Sequence, residues 1–409
     1  MPNRVVQQAG WMMAATVVAQ IAAVGTMLTL AAELGVNDFG RLATALAFQG
    51  LISTITHNGL RHPLIRELIA NPARFDALAS SYVLLCLGLA ALASLTTIVV
   101  VMLLPLQTDE TWLWIVIAAG NLANALQPNP IFDALRKPAV TTVVAALVEI
   151  VGWLAIVLLV ALGKLSLILA AVIVVLKWTV TTVVLWNVLS LKHRRLQWSF
   201  DPAAIMQLCR SGVWVGSASL LQASVVTSST IVARVLGGTE AAAFLGLGSY
   251  AFRAHQMIFT LINRLISPVL ADRIARGVGY HKLLFGAAGI SVVLGMAGIV
   301  SATIVIWLVL PESYAASGSI VGLLLCAATI RHPAMTVNLM LIMRQRERWG
   351  LVAALVFAAT FATWSFWSAG LSDAERAASH VAWGLVVASA AFAMSILLRS
   401  RADRSLDVK

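Results

Sequence analysis

Runs of about twenty apolar residues, each long enough to cross the hydrocarbon core of a bilayer as a helix, recur from one end of the chain to the other. They read as spans 9–31, 41–60, 78–104, 111–133, 139–162, 166–190, 211–235, 242–269, 284–309, 317–341, 349–369 and 377–398. Only 11% of the 409 residues are charged, against about 25% in a soluble domain, and 60% are hydrophobic. The mean hydropathy is +0.91. The chain therefore reads as an all-α polytopic membrane protein. The N-terminus has a short basic start, an apolar run and no small-residue cleavage site, so it reads as a retained first helix rather than a signal peptide.

The connections between spans test the helix count. Arg61, Arg66 and Arg74 follow the second span, Arg136 and Lys137 the fourth, and Lys192, Arg194 and Arg195 the sixth. Arg273, Arg276 and Lys282 follow the eighth, Arg344, Arg346 and Arg348 the tenth, and Arg399, Arg401 and Arg404 the last. The other turns carry Glu33, Asp38, Asp109, Glu110, Glu240, Glu312, Asp373 and Glu375, with only Arg41, Lys164 and Arg376 as positive residues. This alternation is what the positive-inside rule predicts for about twelve helices with both termini cytoplasmic. It also accounts for most of the net charge of +11, which on a soluble chain would point to nucleic acid. No nucleic-acid partner is expected. Cys86, Cys209 and Cys326 are far apart and make no metal-ligand or redox spacing.

The chain repeats itself. "AGWMMAATVVAQIAAVGTMLTLAAELG" aligns without a gap on "SGVWVGSASLLQASVVTSSTIVARVLG", placing Gly10, Gln20, Val24, Leu34 and Gly35 opposite Gly212, Gln222, Val226, Leu236 and Gly237. "PLIRELIA" after the second span is similar to "PVLADRIA" after the eighth. Six helices per repeat is an even number, so both halves enter from the same side. The expectation is two pseudo-symmetric six-helix bundles, 1–190 and 211–398, around a central cavity. They are joined by a basic cytoplasmic linker, 191–210, whose second part lies at the membrane interface, and followed by a cytoplasmic tail, 399–409.

The turn "ELGVNDFGRLATALAF", the exit "GLRHPLIRELIANP" and the second-half "RVLGGTEAAAFLGLGSYAFR" resemble the polysaccharide flippases. These are the O-antigen and exopolysaccharide translocases of the multidrug/oligosaccharidyl-lipid/polysaccharide exporter superfamily. The resemblance covers essentially the whole chain in helix count, topology and repeat. It implies bundles that open alternately to each side, moving a polyprenyl-diphosphate-linked oligosaccharide from the cytoplasmic to the outer leaflet of the bacterial inner membrane. Surface polysaccharide biosynthesis (O-antigen, capsule or exopolysaccharide) would be the setting, with membrane lipids and polymerase or export machinery as partners.

A charge at a helix centre costs about 2.5–3.5 kcal/mol on insertion scales, so Glu149, Lys177, Arg253 and Arg331 need explaining. Asp133, Arg234 and Arg264 lie near span ends and can snorkel to the headgroups. Glu149 and Lys177 are each 14 positions from Gly163. A tight hairpin therefore brings them to equal depth, as an internal salt bridge or as a proton-coupling pair. Arg253, Gln256, Thr260 and Arg264 fall on one helical stripe. His255 points to another face and reads as a neutral, locally bonded histidine. Arg331 is midway along the tenth span, beside His332, and no acid lies in the middle of any second-half span. Either the arginines bond backbone carbonyls near Pro268 or Pro333, or they face a wet cavity walled by Gln20, Asn121, Asn124, Gln127, Gln222 and Ser224.

A guanidinium fork binds phosphate oxygens bidentately and stays charged at any relevant pH. It thus suits the diphosphate of the cargo that the resemblance implies. The expected substrate-binding residues are Arg253, Gln256, Arg331, His332, Gln20, Asn121, Asn124 and Gln222. A cation-coupled drug or metabolite antiporter would want carboxylates in the cavity, and a glycan ligase or polymerase would want a large outer loop. The chain offers neither, nor a nucleotide motif, so no enzyme activity, cofactor or metal is expected. Reporter fusions at Arg66, Arg195 and Arg346 should read cytoplasmic, and those at Asp109 and Asp373 external. One reversed site within the series would break the twelve-helix topology.

Overall fold

The computed structural model describes residues 2–103, 107–193, 195–275, 281–343, 347–367 and 370–406. Of the residues singled out above, Arg194, Arg276, Arg344 and Arg346 lie outside the described residues. So do the side chains of Arg66, Thr260, Arg264, Arg273, Lys282, Arg348 and the 399–409 tail. Twelve α-helices appear among the described residues, and no strand. They are α1 (Pro2–Ser53), α2 (Gly59–Ala70), α3 (Phe75–Leu103), α4 (Thr108–Ala125), α5 (Asn129–Ala134) and α6 (Pro138–Ala161). Then come α7 (Leu167–Val188), α8 (Pro202–Ala275), α9 (His281–Val309), α10 (Ser317–Met343), α11 (Glu347–Phe366) and α12 (Ala374–Leu406). Contacts divide the chain into two compact units, Met1–Leu220 and Leu221–Lys409.

These helices do not map one-to-one onto the expected spans. Nine helical stretches among the described residues are long and apolar enough to cross a membrane, and two of them, Gly10–Thr56 and Gly216–Met257, cover two expected spans each. Both are broken at glycine. In α1 the break is Gly35, at φ 72 and ψ 170. In α8 it is Gly238, at φ 76 and ψ −166, preceded by Gly237 at φ −130. A side chain would be strained at these positive φ values, and glycine is not. The sequence alignment set Gly35 opposite Gly237, whereas the matching conformation falls one residue later. The expected span 111–133 is also split. α4 stops at Ala125 and α5 starts at Asn129, because Pro128 has no amide hydrogen to continue the helix and disfavours helical backbone at Gln127, while Pro130 fits in the first turn of α5.

The segment expected as a linker is docked on unit 1. Leu196, Ala204 and Leu208 are buried in a cluster with Leu64, Leu68, Phe75, Leu78 and Tyr82. The Asp201 carboxylate caps α8, its Oδ1 accepting from the amides of Ala203 at 2.9 Å and Ala204 at 3.1 Å. Its Oδ2 meets Arg74 Nη2 at 2.9 Å. The Arg74 hydrogen bond, with help from those amides, holds this carboxyl below the usual range. Gln207 donates to Glu67 Oε2 at 2.5 Å and accepts from Arg74 Nη1 at 3.2 Å. Upstream, Trp186 donates to the Leu126 carbonyl at 2.7 Å and packs 5.5 Å from the Trp198 ring.

Within unit 1, α6 lies tightly on α1. A Cβ at Gly25 would come within 2.8 Å of the Trp153 ring, which is tethered by its Nε1–H to Thr29 Oγ1 at 3.3 Å. Small residues let helix backbones approach where lipid supplies no hydrophobic drive. Gly25→Leu should therefore lower stability by about 1–3 kcal/mol, the usual penalty of overpacking, with Gly25→Ala in between. Thermal unfolding in detergent checks this. Melting temperatures equal to wild type would mean that α1 and α6 are not this close.

Candidate functional site

In unit 2 the structure brings three of the expected site residues together. Arg331 is only 5% exposed, midway along α10. Its Nη2–H donates to Gln222 Oε1 on α8 at 2.8 Å. Its guanidinium carbon sits 5.2 Å from the centroid of the Phe357 ring on α11, within cation–π range. Its Nε has no hydrogen-bond partner among the described residues. Beside it, the His332 ring stacks on Phe259 with centroids 3.4 Å apart and planes at 27°. His255 approaches the same two rings, at 5.1 Å from Phe259 and 5.4 Å from His332. His255 was expected to be neutral and locally bonded; among the described residues its Nε2 has no partner, nor does either ring nitrogen of His332. The aromatic contact that gathers these rings had no signal in the sequence.

Arg253 is half-buried with its guanidinium 5.5 Å from the Tyr250 ring centroid. Gln256, one turn on, is also half-buried. The ion pairs among the described residues include Arg41–Asp38, Arg61–Asp133, Arg74–Asp201 and Lys177–Glu149, and neither Arg253 nor Arg331 is paired with a carboxylate among those residues. Spreading charge onto an amide and a ring face lowers the cost of burial without cancelling the charge.

Unit 1 is neutralised instead. Lys177 Nζ meets Glu149 Oε2 at 2.7 Å, the pairing expected from their equal distance to Gly163. Lys177 is the more deeply placed partner, its side chain 8% exposed against 27% for Glu149. Asp133, expected to snorkel, accepts from Arg61 Nε at 3.2 Å and Nη2 at 2.5 Å. Asn124 joins a chain of amides. Its Nδ2 donates to Ser53 Oγ at 3.0 Å, its Oδ1 accepts from Gln127 at 3.1 Å, and Gln127 accepts from Asn129 at 3.0 Å. Asn121 is buried, its Oδ1 unpartnered among the described residues, and Gln20 is half-buried on α1.

Long apolar helices in two compact units, carrying buried polar groups and two arginines without a carboxylate partner among the described residues, define a multi-pass membrane protein. The fold agrees. It superposes on an inward-facing multidrug resistance MATE family transporter of the MOP superfamily with a TM-score of 0.70 at 14% identity, covering 97% of this chain and 99% of that one. The lipid II flippase MurJ in an inward closed conformation matches at 0.69 and 12% identity, over 95% of this chain and 87% of that one. A MOP superfamily transporter from Pyrococcus furiosus matches at 0.62 and 15% identity, over 99% and 96%. The chain belongs to the polysaccharide biosynthesis protein family, whose profile matches residues 5–273. A search of curated protein sequences finds no match.

The burial asymmetry of the Glu149–Lys177 pair has a measurable consequence. Glu149→Gln strands a buried ammonium and should cost about 3–5 kcal/mol. Lys177→Met leaves a carboxylate that is partly solvated, and should cost less. The double variant should be more stable than Glu149→Gln alone. If thermal unfolding ranks the double variant with or below Glu149→Gln, the pair does not neutralise itself. If the double variant is stable yet moves no substrate, the carboxylate has a coupling role besides.

Proposed function

We propose that the chain is a flippase that carries a polyprenyl-diphosphate-linked oligosaccharide from the cytoplasmic to the outer leaflet of the bacterial inner membrane by alternating access. It would serve the assembly of a surface polysaccharide. On this reading about twelve spans form the two bundles 1–190 and 211–398, joined by 191–210, with both termini and the 399–409 tail cytoplasmic.

The observation that carries this reading is the pair of arginines in unit 2, Arg253 and Arg331, placed among apolar helices without a carboxylate partner among the described residues. An anionic diphosphate supplies the missing counter-charge, and guanidinium binds it through paired hydrogen bonds. Gln222 and His332 beside Arg331, and Gln256 beside Arg253, add neutral polar groups of the kind that phosphate and sugar oxygens need. In unit 1, Gln20, Asn121 and Asn124 are suited to sugar hydroxyls. The family assignment and the lipid II flippase among the structural neighbours favour the same cargo class. The multidrug transporter neighbour keeps antiport open as a rival. A cationic drug, however, would be repelled by two uncompensated guanidinium groups.

Arg253→Ala and Arg331→Ala should each reduce flipping of a polyprenyl-diphosphate glycan in proteoliposomes by about tenfold to a hundredfold. That is the range for losing a hydrogen bond to a charged group, about 1.5–3 kcal/mol. Lysine at either site should restore part of the activity, since it returns the charge without the fork, and glutamate should be worse than alanine. Arg331→Ala and Gln222→Ala separate this from a structural role through their melting temperatures. If both unfold early and Arg253→Ala flips normally, Arg331 is a packing residue and the diphosphate is met elsewhere.

A further inference from the structure

The strap docked on unit 1, residues 191–210, is apolar on two sides. Leu196, Ala204 and Leu208 point inward and are buried. Leu191, Trp198, Phe200 and Met206 are 82%, 59%, 70% and 57% exposed. Along the same strap Lys192, Arg195 and Arg210 are exposed, and none has an acidic partner among the described residues. The acids that the strap does meet are engaged within the fold: Asp201 with Arg74, and Glu67 with Gln207 and Asn71. Ala203, Met206, Gln207 and Arg210 line a shallow groove.

Bulk water does not suit four large apolar side chains held outward, and hydrocarbon does not suit three bare cations. Headgroup depth suits both, because aromatic rings and methionine reach the acyl boundary while basic side chains stay among phosphates. We propose that this strap is an anchor for anionic phospholipid. Trp198, Phe200 and Met206 enter the headgroup–acyl boundary, and Lys192, Arg195 and Arg210 hold the phosphates of anionic lipids in that leaflet. The strap's hydrogen bond to Glu67 of α2, and those its Gln197 and Asp201 carbonyls accept from Ser80 and Ser81 of α3, then fix unit 1 to that membrane surface. None of this depends on the glycan cargo.

The test uses the full chain with Cys86, Cys209 and Cys326 replaced by alanine and a nitroxide on Met206→Cys. It is reconstituted in nanodiscs of phosphatidylcholine alone or with one-third phosphatidylglycerol. Collision with oxygen should exceed collision with a soluble nickel chelate in the anionic discs, and the excess should shrink in the neutral ones. Lys192→Gln/Arg195→Gln/Arg210→Gln should abolish the difference and weaken retention of phosphatidylglycerol in native mass spectrometry by roughly fivefold for each charge removed. Arg195→Lys/Arg210→Lys should keep both. Water-like accessibility at position 206 in both bilayers overturns the proposal, and so does equal lipid burial whatever the headgroup charge. Retention unaffected by the glutamine variant also overturns it.

Discussion

A charge placed in hydrocarbon must be answered by something other than water, and the two units of this chain answer in different ways. Unit 1 cancels. Glu149 meets Lys177 and Asp133 meets Arg61, so the helices that carry these residues are held in register by their own counter-ions. Unit 2 disperses. Arg331 leans on the Gln222 amide and the Phe357 face, arrangements that lower the cost of burial and leave the positive charge standing. Which helices must touch follows from this: α6 beside α7 in one unit, and α8 and α11 beside α10 in the other.

Close approach between the helices is bought by small residues. Gly152 leaves room for the Lys177 stem, into which a Cβ there would run. Without that gap the ammonium could not lie along α6 to reach Glu149. Gly248 lets α8 lie against Leu324 of α10, where a Cβ would come within 2.5 Å, and Gly237 does the same against Ala377 of α12 at 2.6 Å. These contacts hold the first turns of α12 and the first half of α10 against the helix that carries Gln222, Arg253 and His255. The glycines are therefore tied to the polar groups through packing, as well as through the backbone breaks at Gly35 and Gly238.

Much of this was legible in the sequence where the signal is local. Apolar runs marked the helices, and equal spacing from Gly163 foretold the Glu149–Lys177 contact, because a tight hairpin converts sequence distance into depth. The repeat set Gly35 opposite Gly237 without marking either as a break, and the matching conformation falls at Gly238, since "LGG" offers two glycines and only geometry chooses between them. Pro128 and Pro130 stood in plain view inside the expected fourth span, but hydropathy outweighed them. What stayed hidden depends on long loops closing: Gln207 on Glu67, Trp186 on Leu126 and Arg331 on Gln222 join positions far apart in sequence. No periodicity reports such meetings. Histidine's place in the Phe259 stack was missed for the same reason, since an i, i+4 relation to His255 says nothing of which ring arrives from α10.

The contrast between a cancelled and an uncancelled charge also has an electrical side. Where a membrane sustains a voltage, moving one elementary charge through the whole of that field is worth about 2.3 kcal/mol per 100 mV. Glu149 and Lys177 travel as a neutral pair, so any displacement of α6 with α7 is silent to the field. Arg331 carries its charge with it, and an anion bound there would turn the same displacement silent as well. On the proposed function, an anion that met the charges of both Arg253 and Arg331 would remove much of the voltage sensitivity of unit 2, so that the empty and the loaded protein would feel the same membrane differently.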